Sequence, residues 1–250
     1  MRLLQWNILY KENPDYIIKF IKEYSPDIVC LQELAVKPYQ YPHISNVASY
    51  IASKTSMNFY SEEAQRWVDD IEMDATGNGI FTKHKINRKF AKYIQEPAVG
   101  SKDYANEGRI YIECDIEISD QNYTIGTTHM SYTHKFEITE AKKQEVDNLI
   151  DIIDINKKKY IFSGDLNSLP SSYTIKRLSE VLTNCGPSNN KNTWTTKPFE
   201  YQGFKANTLD WRLDYVFSSS DMYCHSSEII NTKYSDHLPI IAEFKLDTGS

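Results

Sequence analysis

The chain has 250 residues, 40% of them hydrophobic and 25% charged, with a formal net charge of −6 at pH 7. This is an ordinary globular composition, and the length is sufficient to bury a sizeable core. The acidic balance excludes an overall attraction to phosphate polymers, so phosphate binding would require local cations or a metal.

Neither a membrane span nor a signal peptide is evident in the sequence. No apolar run reaches transmembrane length, and the apolar stretch that opens the chain is too short for a signal peptide. We therefore expect a cytoplasmic protein without membrane insertion, and a monomer, although a signal removed beforehand would leave no trace.

The four cysteines are too widely spaced for a zinc knuckle or a CxxC redox motif. Cys30 and Cys114 lie in apolar runs and are expected to be small core residues, whereas Cys185 and Cys224 do not. A reducing compartment is the simpler interpretation, and two disulfides remain an alternative.

The first elements in chain order are predicted to be a strand, a helix and a strand. Residues 3–9 are apolar around Asn7, and residues 14–24 place apolar side chains on one helix face, with Pro14 at the start. Residues 27–33 form an apolar run that ends in Gln-Glu. This order predicts a βαβ-like unit.

The next part of the sequence is less regular. We expect a helix around residues 43–53 and then a long surface excursion up to residue 77. A strand is predicted over residues 77–83, with residues 86–94 as its hairpin partner.

The second half of the chain again shows clear patterns. Residues 109–118 alternate apolar and polar side chains, which predicts a half-buried strand paired in a hairpin with residues 123–130. A long amphipathic helix is predicted over residues 136–155. Its expected buried face consists of Ile138, Ala141, Val146, Leu149, Ile150, Ile152 and Ile153.

A buried strand over residues 160–162 then breaks at Ser163-Gly164, and a helix over 171–182 follows, capped by Ser171 or Ser172. Late strands are predicted over residues 215–217 and 239–246. Repeats, low-complexity segments and linkers are lacking, so we expect one domain spanning residues 1–250.

Polar side chains lie at the ends of several predicted strands. Ends of buried strands are where α/β proteins commonly place their chemistry, and mixed sheets can bring them to one rim. Each residue alone has a structural alternative, because Asp and Asn are common turn formers and a single histidine is usually structural. The set is Asn7, Glu33, His129, Asp165, Asn167, Asp214, Asp236 and His237.

These residues lie in motifs that resemble the endonuclease/exonuclease/phosphatase (DNase I-like) superfamily of metal-dependent phosphoesterases. The resemblance spans nearly the whole chain and implies an α/β fold, a four-layer α/β/β/α sandwich of two mixed sheets with helices outside. The matching motifs, in order, are Gln5-Trp-Asn7, Leu31-Gln-Glu33, Gly77-Asn-Gly-Ile-Phe-Thr-Lys83, Gly108-Arg109, Thr127-Thr-His-Met130, Ser163-Gly-Asp-Leu-Asn-Ser168, Arg212-Leu-Asp-Tyr-Val-Phe217 and Ser235-Asp-His-Leu-Pro239.

The resemblance implies a Mg²⁺ cofactor, which Mn²⁺ can replace. Mg²⁺ prefers oxygen ligands and keeps several waters, so one or two carboxylates can hold it. Glu33 is the strongest ligand candidate and Asp236 a second, direct or through water. Asn7 would orient a ligand or a phosphate oxygen.

The resemblance also assigns roles around the attacking water. Asp165 would position or deprotonate it, and Asn167 would hold it or a phosphate oxygen. His237 would stabilise the pentacovalent phosphate, with Asp214 orienting its imidazole.

The remaining two assignments concern phosphate charge. His129 would donate to a non-bridging oxygen or to the leaving group, and Arg109 would add positive charge on the phosphate.

Two features leave alternatives open. Asp210 lies four residues before Asp214 and competes with it, although the Arg-x-Asp-Tyr context favours Asp214. The family often has a polar residue two positions after the Asn7 equivalent, and this chain has Leu9. A second metal position is therefore in doubt.

The substrate implied by the resemblance is a phosphodiester, with nucleic acid as the leading class. The Thr-His context of His129 is similar to the DNase I, sphingomyelinase, deadenylase and tyrosyl-DNA phosphodiesterase branches, whereas abasic-site endonucleases typically carry Tyr there. Phosphoinositide, sphingomyelin and tyrosyl-DNA substrates remain alternatives. A binding module without turnover is a further one, which the complete polar set argues against.

Several residues that flank the motifs could supply stacking and phosphate contacts, although ordinary loop composition is the favoured explanation for each of them alone. They are Tyr132, His134, Lys135, Trp194, Lys205, Trp211 and Arg212.

Overall fold

The computed structural model describes residues 1–67, 74–98, 103–153 and 157–246, and within them two six-stranded mixed sheets and a separate short hairpin. The first sheet contains β1 (Arg2–Asn7), β2 (Ile28–Ala35), β3 (Asn58–Arg66), β4 (Ala75–Thr82), β13 (Tyr223–Ile229) and β14 (Ile240–Lys245). Its spatial order is β13-β14-β1-β2-β4-β3.

The second sheet contains β5 (Lys85–Gln95), β6 (Arg109–Ile118), β7 (Gln121–His129), β8 (Tyr160–Asp165), β9 (Thr183–Asn184) and β12 (Asp214–Ser218). Its spatial order is β5-β6-β7-β8-β12-β9. The separate hairpin consists of β10 (Phe199–Tyr201) and β11 (Phe204–Ala206).

Helices cover the outer faces of both sheets. They are α1 (Pro14–Tyr24), α2 (Val47–Thr55), α3 (Glu140–Ile152) and α4 (Tyr173–Val181). Apolar side chains of α1 and α2 pack on β1 and β2, and those of α3 and α4 pack on β8 and β12. A third apolar cluster fills the space between the sheets. The predicted four-layer sandwich is confirmed. None of the helices in the described ranges is long and apolar enough to cross a membrane.

The strand period explains how this sandwich produces a polar rim. Successive side chains of a strand point to opposite faces. In β1, Leu4 and Trp6 face the helices, whereas Leu3 joins the core between the sheets. The next positions on that inner face are Gln5 and Asn7, which are polar and fully buried.

Other strands show the same change from apolar to polar inner-face residues at the same end of the sandwich. In β8 the inner face runs from Ile161 to Asp165, and in β7 it runs from Ile125 to His129. Because β7 and β8 are parallel and in register, His129 lies beside Asp165. The inter-sheet core therefore ends in a layer of hydrogen-bonding groups.

The predicted hairpin of residues 77–83 with 86–94 is wrong. β4 pairs with β2 and β3 in the first sheet, whereas β5 pairs with β6 in the second. Both edges of β4 are already occupied, so the chain passes from one sheet to the other after β4.

The predicted long helix over residues 136–155 is shorter. α3 begins at Glu140, capped by the Thr139 side chain, and ends at Ile152; residue 155 lies outside the described residues. Ile138 is exposed, against prediction, and so is Ala141. Two charged residues described below occupy the buried face in their place.

The remaining differences concern weakly patterned segments. The excursion predicted up to residue 77 contains β3, and its residues 68–73 lie outside the described residues. The strand over 109–118 is mostly buried on both faces. On the face predicted to be exposed, Tyr111 packs in the apolar cluster under α3, and Glu113 is buried in ion pairs with Arg88 and Lys157. All four cysteines are free thiols, and Cys30 and Cys114 lie in the core as predicted.

Candidate active site

The strand pairing of the second sheet places one imidazole and two carboxylates side by side. His129 ends β7, Asp165 ends β8, and Asp214 begins β12. In the ladder Asp165 is the register partner of both His129 and Asp214. The first sheet brings Asn7, at the end of β1, against them.

Asp165 is the centre of this cluster. Its Oδ2 lies 3.0 Å from Asn7 Nδ2, 3.4 Å from His129 Nε2 and 3.5 Å from His237 Nε2. Its Oδ1 accepts a hydrogen bond from the backbone N–H of Asn167. Burial raises the pKa of Asp165 to about 6, while the nearby imidazole of His237 opposes that rise.

His237 lies among carboxylates. Its Nδ1 lies 2.9 Å from Oδ2 of Asp214, which is fully buried. Burial disfavours the imidazolium, but the carboxylates of Asp214, Asp165 and Asp236 together raise the pKa of His237 well above its ordinary value. Asp210, the competing carboxylate, is exposed and accepts a hydrogen bond from Thr208.

His129 is buried beside a cation instead. Burial lowers its pKa well below the ordinary value, and the cation of Arg109 lowers it further. Its Nε2 lies 3.1 Å from Asn167 Nδ2, which also donates to the carbonyl of Met130. The pocket thus shifts the pKa values of its two imidazoles in opposite directions.

Arg109 is buried beside His129. Its Nη1 lies 3.5 Å from His129 Nδ1, and its Nη2 donates to Glu107 and to the carbonyl of Tyr104. Its buried Nε has no hydrogen-bond partner in the described parts of the chain.

Glu33 reaches the site because β2 is irregular. The register with β4 shifts between Leu31 and Leu34, and Glu33 has a positive φ of 59°. Such a bulge re-aims a side chain that simple alternation would turn towards the helices. Glu33 Oε1 accepts from Asn7 Nδ2 at 2.9 Å, and Oε2 accepts from the backbone N–H of Tyr10 at 3.3 Å.

Asp236 approaches the same corner from the loop before β14. Its Oδ2 accepts from Trp194 Nε1 at 2.9 Å, and the neighbouring Ser235 Oγ donates to the carbonyl of Asn7 at 2.8 Å. Burial first, and then the negative charge of Asp236, raise the pKa of Glu33 to about 7.

Comparison with known proteins agrees with this arrangement. The family model described as "Endonuclease/Exonuclease/phosphatase family" matches residues 4–237. The chain belongs to that family. Its members are phosphoester hydrolases, and the family is generally dependent on a divalent metal. No curated protein matches the sequence.

Solved structures of the same fold include an endonuclease/exonuclease/phosphatase from Beutenbergia cavernae, with a TM-score of 0.77, 16% identity, and coverage of 98% of this chain and 71% of that one. The human Nocturnin catalytic domain has a TM-score of 0.73, 19% identity, and coverage of 98% and 93%. A mannosyl-6-phosphatase from Bacteroides thetaiotaomicron has a TM-score of 0.69, 15% identity, and coverage of 98% and 100%.

The donor set of this family member fits a divalent cation. The carboxylates of Glu33 and Asp165 both accept from the Asn7 amide. Burial is the main cause of their raised pKa values, and the negative charges of Asp236 near Glu33 and of Asp214 near Asp165 add to it. Atoms of Asp165, Asp214 and His237 also lie within 4.8 Å of one another. Since Asp214 already binds His237, oxygen donors around Glu33 suit a hard cation better.

Polar residues behind the pocket support the site. Gln5, Gln32 and Thr127 lie within the sequence motifs, but no role was predicted for them. Gln5 Nε2 donates to Gln32 at 2.5 Å and lies 3.5 Å from Asp214 Oδ1. Gln32 Nε2 donates to Thr127 Oγ1 at 2.9 Å, which joins the two sheets. Period-two spacing from Asn7 and His129 would have identified Gln5 and Thr127 as inner-face residues.

The predicted flanking contacts are corrected in part. Arg212 is 1% exposed and donates to backbone carbonyls, so a phosphate contact from it is wrong. Tyr132 and Trp194 are buried in an aromatic cluster with Phe136 and Phe204. Trp211 is partly exposed, and the exposed flanking residues are His134, Lys135 and Lys205.

Proposed function

We propose that the protein is a divalent-metal-dependent phosphodiester hydrolase that cleaves nucleic acid by in-line attack of an activated water. The observation that carries this proposal is the environment of Asp165 Oδ2, which the Asn7 amide and the imidazoles of His129 and His237 surround at 3.0–3.5 Å. Such a group can hold a water and a phosphate next to each other.

Asp165 is the proposed general base. With a pKa of about 6 it is mostly ionised near neutral pH, yet basic enough to accept a proton from water. The water oxygen then bonds to phosphorus, the bond from phosphorus to the leaving oxygen breaks, and that oxygen takes up a proton. The amide of Asn167 holds the water or a phosphate oxygen.

His237 and Arg109 stabilise the charge that develops on the phosphoryl oxygens. The raised pKa of His237 keeps its imidazolium charged, and Asp214 fixes the orientation of the ring. Preorganised donors of this kind are usually the largest contribution to catalysis. The neutral His129 donates to a non-bridging oxygen or to the leaving group.

Glu33, Asn7 and Asp236 would hold the metal, with Mg²⁺ as the proposed ion. Mg²⁺ bound there supplies Lewis-acid stabilisation of phosphate charge. The chain's own contribution is to gather the carboxylates, and Trp194 and Ser235 fix the segment that carries Asp236.

An aromatic pair beside Arg109 favours a nucleic-acid substrate. The rings of Tyr104 and Tyr201 stack with centroids 4.4 Å apart, and Tyr104 is 40% exposed. The carbonyl of Tyr104 accepts from Arg109, so this pair is near the proposed phosphate position. Base stacking on aromatic rings is common in single-strand binding.

A small phosphoester is the second candidate, because the net charge of −6 gives no long-range attraction to a polymer. A panel in Mg²⁺ and Mn²⁺ should separate the two. It would contain single- and double-stranded DNA, RNA, 5′-tyrosyl DNA, a phosphoinositide, sphingomyelin and a sugar phosphate.

The chemistry is tested with a generic phosphodiester such as bis-(p-nitrophenyl) phosphate. Asp165→Asn and His237→Ala should each lower kcat by about 10²–10⁴-fold, because each removes a proton-transfer or charge-stabilising group. Asp210→Asn is the matched control and should leave kcat unchanged. Chelation of the metal with EDTA should abolish phosphodiester hydrolysis by the wild type.

Unchanged turnover in both site variants, with circular dichroism showing native folds, would reject the site. Activity that survives thorough chelation would reject the metal.

A further inference from the structure

Helix α3 carries a buried ion pair on the face that packs against the second sheet. The side chains of Lys142 and Glu145 are 1% and 0% exposed, and Lys142 Nζ lies 3.7 Å from Glu145 Oε2. Burying two charges costs several kcal/mol per ion unless further hydrogen bonds compensate. This pair therefore requires an explanation beyond helix packing.

Both members of the pair hold the backbone of one residue. Lys142 Nζ donates to the carbonyl of Ser131 at 2.6 Å, and Glu145 Oε1 accepts from the N–H of Ser131 at 2.9 Å. Ser131 lies two residues after His129, and the carbonyl of the intervening Met130 accepts from the site amide of Asn167. The ion pair thus fixes the chain as it leaves β7.

Ser131 extends the connection to the other side of the site. Its Oγ accepts from Gln95 Nε2 at 3.0 Å, and the same amide contacts the carbonyls of Ala105 at 2.9 Å and Glu107 at 2.7 Å. The carboxylate of Glu107 accepts from Arg109 Nη2 at 2.8 Å. A continuous hydrogen-bonded path therefore runs from α3 to Arg109.

We propose that Lys142 and Glu145 are positioning residues, which hold His129 and Arg109 at their distances from Asp165 through Ser131 and Gln95. The inference rests on the proposed function, in which His129 and Arg109 contact the phosphate. It extends that function by assigning roles to residues outside the pocket. Misplacement of a catalytic group by about 1 Å can cost up to 10²-fold in rate.

The test compares two lysines of the same helix. Lys142→Met should lower kcat about tenfold or more on bis-(p-nitrophenyl) phosphate and accelerate amide hydrogen exchange over residues 129–133 and 105–107. Lys143→Met is the matched control, because Lys143 forms an exposed pair with Glu140 at the same spacing. It should change neither quantity, and Lys142→Arg should recover part of the lost kcat.

Ser131→Ala separates positioning from stability. It removes the Oγ link to Gln95 but leaves both backbone contacts with the ion pair, so the protein should fold. We expect kcat to fall about three- to tenfold and exchange to accelerate over residues 105–107 only.

The proposal would be overturned if Ser131→Ala had the same kcat and the same hydrogen-exchange rates as the wild type. This test remains decisive even if Lys142→Met fails to fold. If the wild type hydrolyses no phosphoester, the proposed function fails. The hydrogen-exchange comparison then still decides whether α3 orders the two segments.

Discussion

Two histidines face the same oxygen of Asp165, and their pKa values are shifted in opposite directions for local reasons. His237 binds the fully buried Asp214 and lies near three carboxylates, which raise its pKa. His129 lies beside the cation of Arg109, which adds to the effect of burial and lowers its pKa. One edge of the fold thus favours the charged form of one imidazole and the neutral form of the other.

Glu33 should make the metal-free protein lose stability as pH rises. Burial raises its folded pKa to about 7, against about 4.5 in the unfolded chain, so the folded state binds the proton more tightly. The stability from that proton is fully present below pH 4.5 and is lost as pH rises to 7. The loss is roughly 3 kcal/mol.

Urea unfolding in EDTA at pH 4 and pH 8 measures this effect. Glu33→Gln keeps the oxygen that accepts from Asn7 but cannot ionise, so it should be more stable than the wild type at pH 8 and equal at pH 4. Mg²⁺ should stabilise the wild type more at pH 8 than at pH 5, since the metal needs the ionised carboxylate. A pH-independent difference between the two proteins would contradict the assignment.

The charged residues predicted from the sequence lie together in the structure, but not all of their geometry was predictable. Strand-end positions brought Asp165 and Asp214 together because period-two alternation and register follow from local pattern. The turn of Glu33 into the site depends on a bulge, and the Trp194 contact to Asp236 depends on a loop from elsewhere in the chain. Neither leaves a periodic signal in the sequence.

At the level of elements, the backbone of β7 approaches β8 closely at Gly164. A Cβ added to Gly164 would lie 2.2 Å from the carbonyl oxygen of Thr128, far inside van der Waals contact. The adjacent residues in the two strands are Asp165 and His129. The lack of a side chain at residue 164 therefore sets the spacing of the two catalytic candidates.

Gly164→Ala should lower the free energy of unfolding by about 3 kcal/mol, because a backbone atom must move to admit the methyl group. It should also reduce kcat, since His129 and Asp165 separate. Chemical denaturation and phosphodiester hydrolysis measure the two effects.

Gly203→Ala provides the control for this substitution. Gly203 has a φ of 79° and no atom within 4 Å of an added Cβ, so only backbone strain of about 1 kcal/mol is expected, with kcat unchanged. Equal effects of the two substitutions would exclude the close contact as the cause.

Elements with strong local signals were predicted well, and those decided by tertiary pairing were not. α1 has the predicted bounds because Pro14 starts it and its apolar face is regular. The partner of β4 could not be deduced, since two adjacent strands can pair with each other or enter different sheets. The buried Lys142 and Glu145 contradict the usual exposure of charged residues, so periodicity assigned Ile138 and Ala141 to the core instead.

For the molecule as a whole, binding of single-stranded nucleic acid should depend weakly on salt. In the described part of the site, Arg109 and the His237 imidazolium are the cations available to phosphate. The logarithm of affinity should then fall with the logarithm of salt concentration at a slope of about −0.7 to −1.4, since each neutralised phosphate of a single strand contributes about −0.7.

Fluorescence anisotropy with the Asp165→Asn variant and a labelled oligonucleotide, titrated with NaCl, measures this slope. A slope near −5 would indicate an extended basic groove and would contradict a site that engages one or two phosphates.

The residues of the site are synthesised far apart in time, because they come from both ends of the chain. Ser235 Oγ binds the carbonyl of Asn7, which lies 228 positions earlier, and β1 lies between β2 and β14. A ribosome-bound chain that has emerged as far as β12 contains Asn7, Glu33 and Asp165 but lacks the imidazole of His237. The first strand then has one unpaired edge, so we expect the polar cluster to be complete only after translation has passed β14.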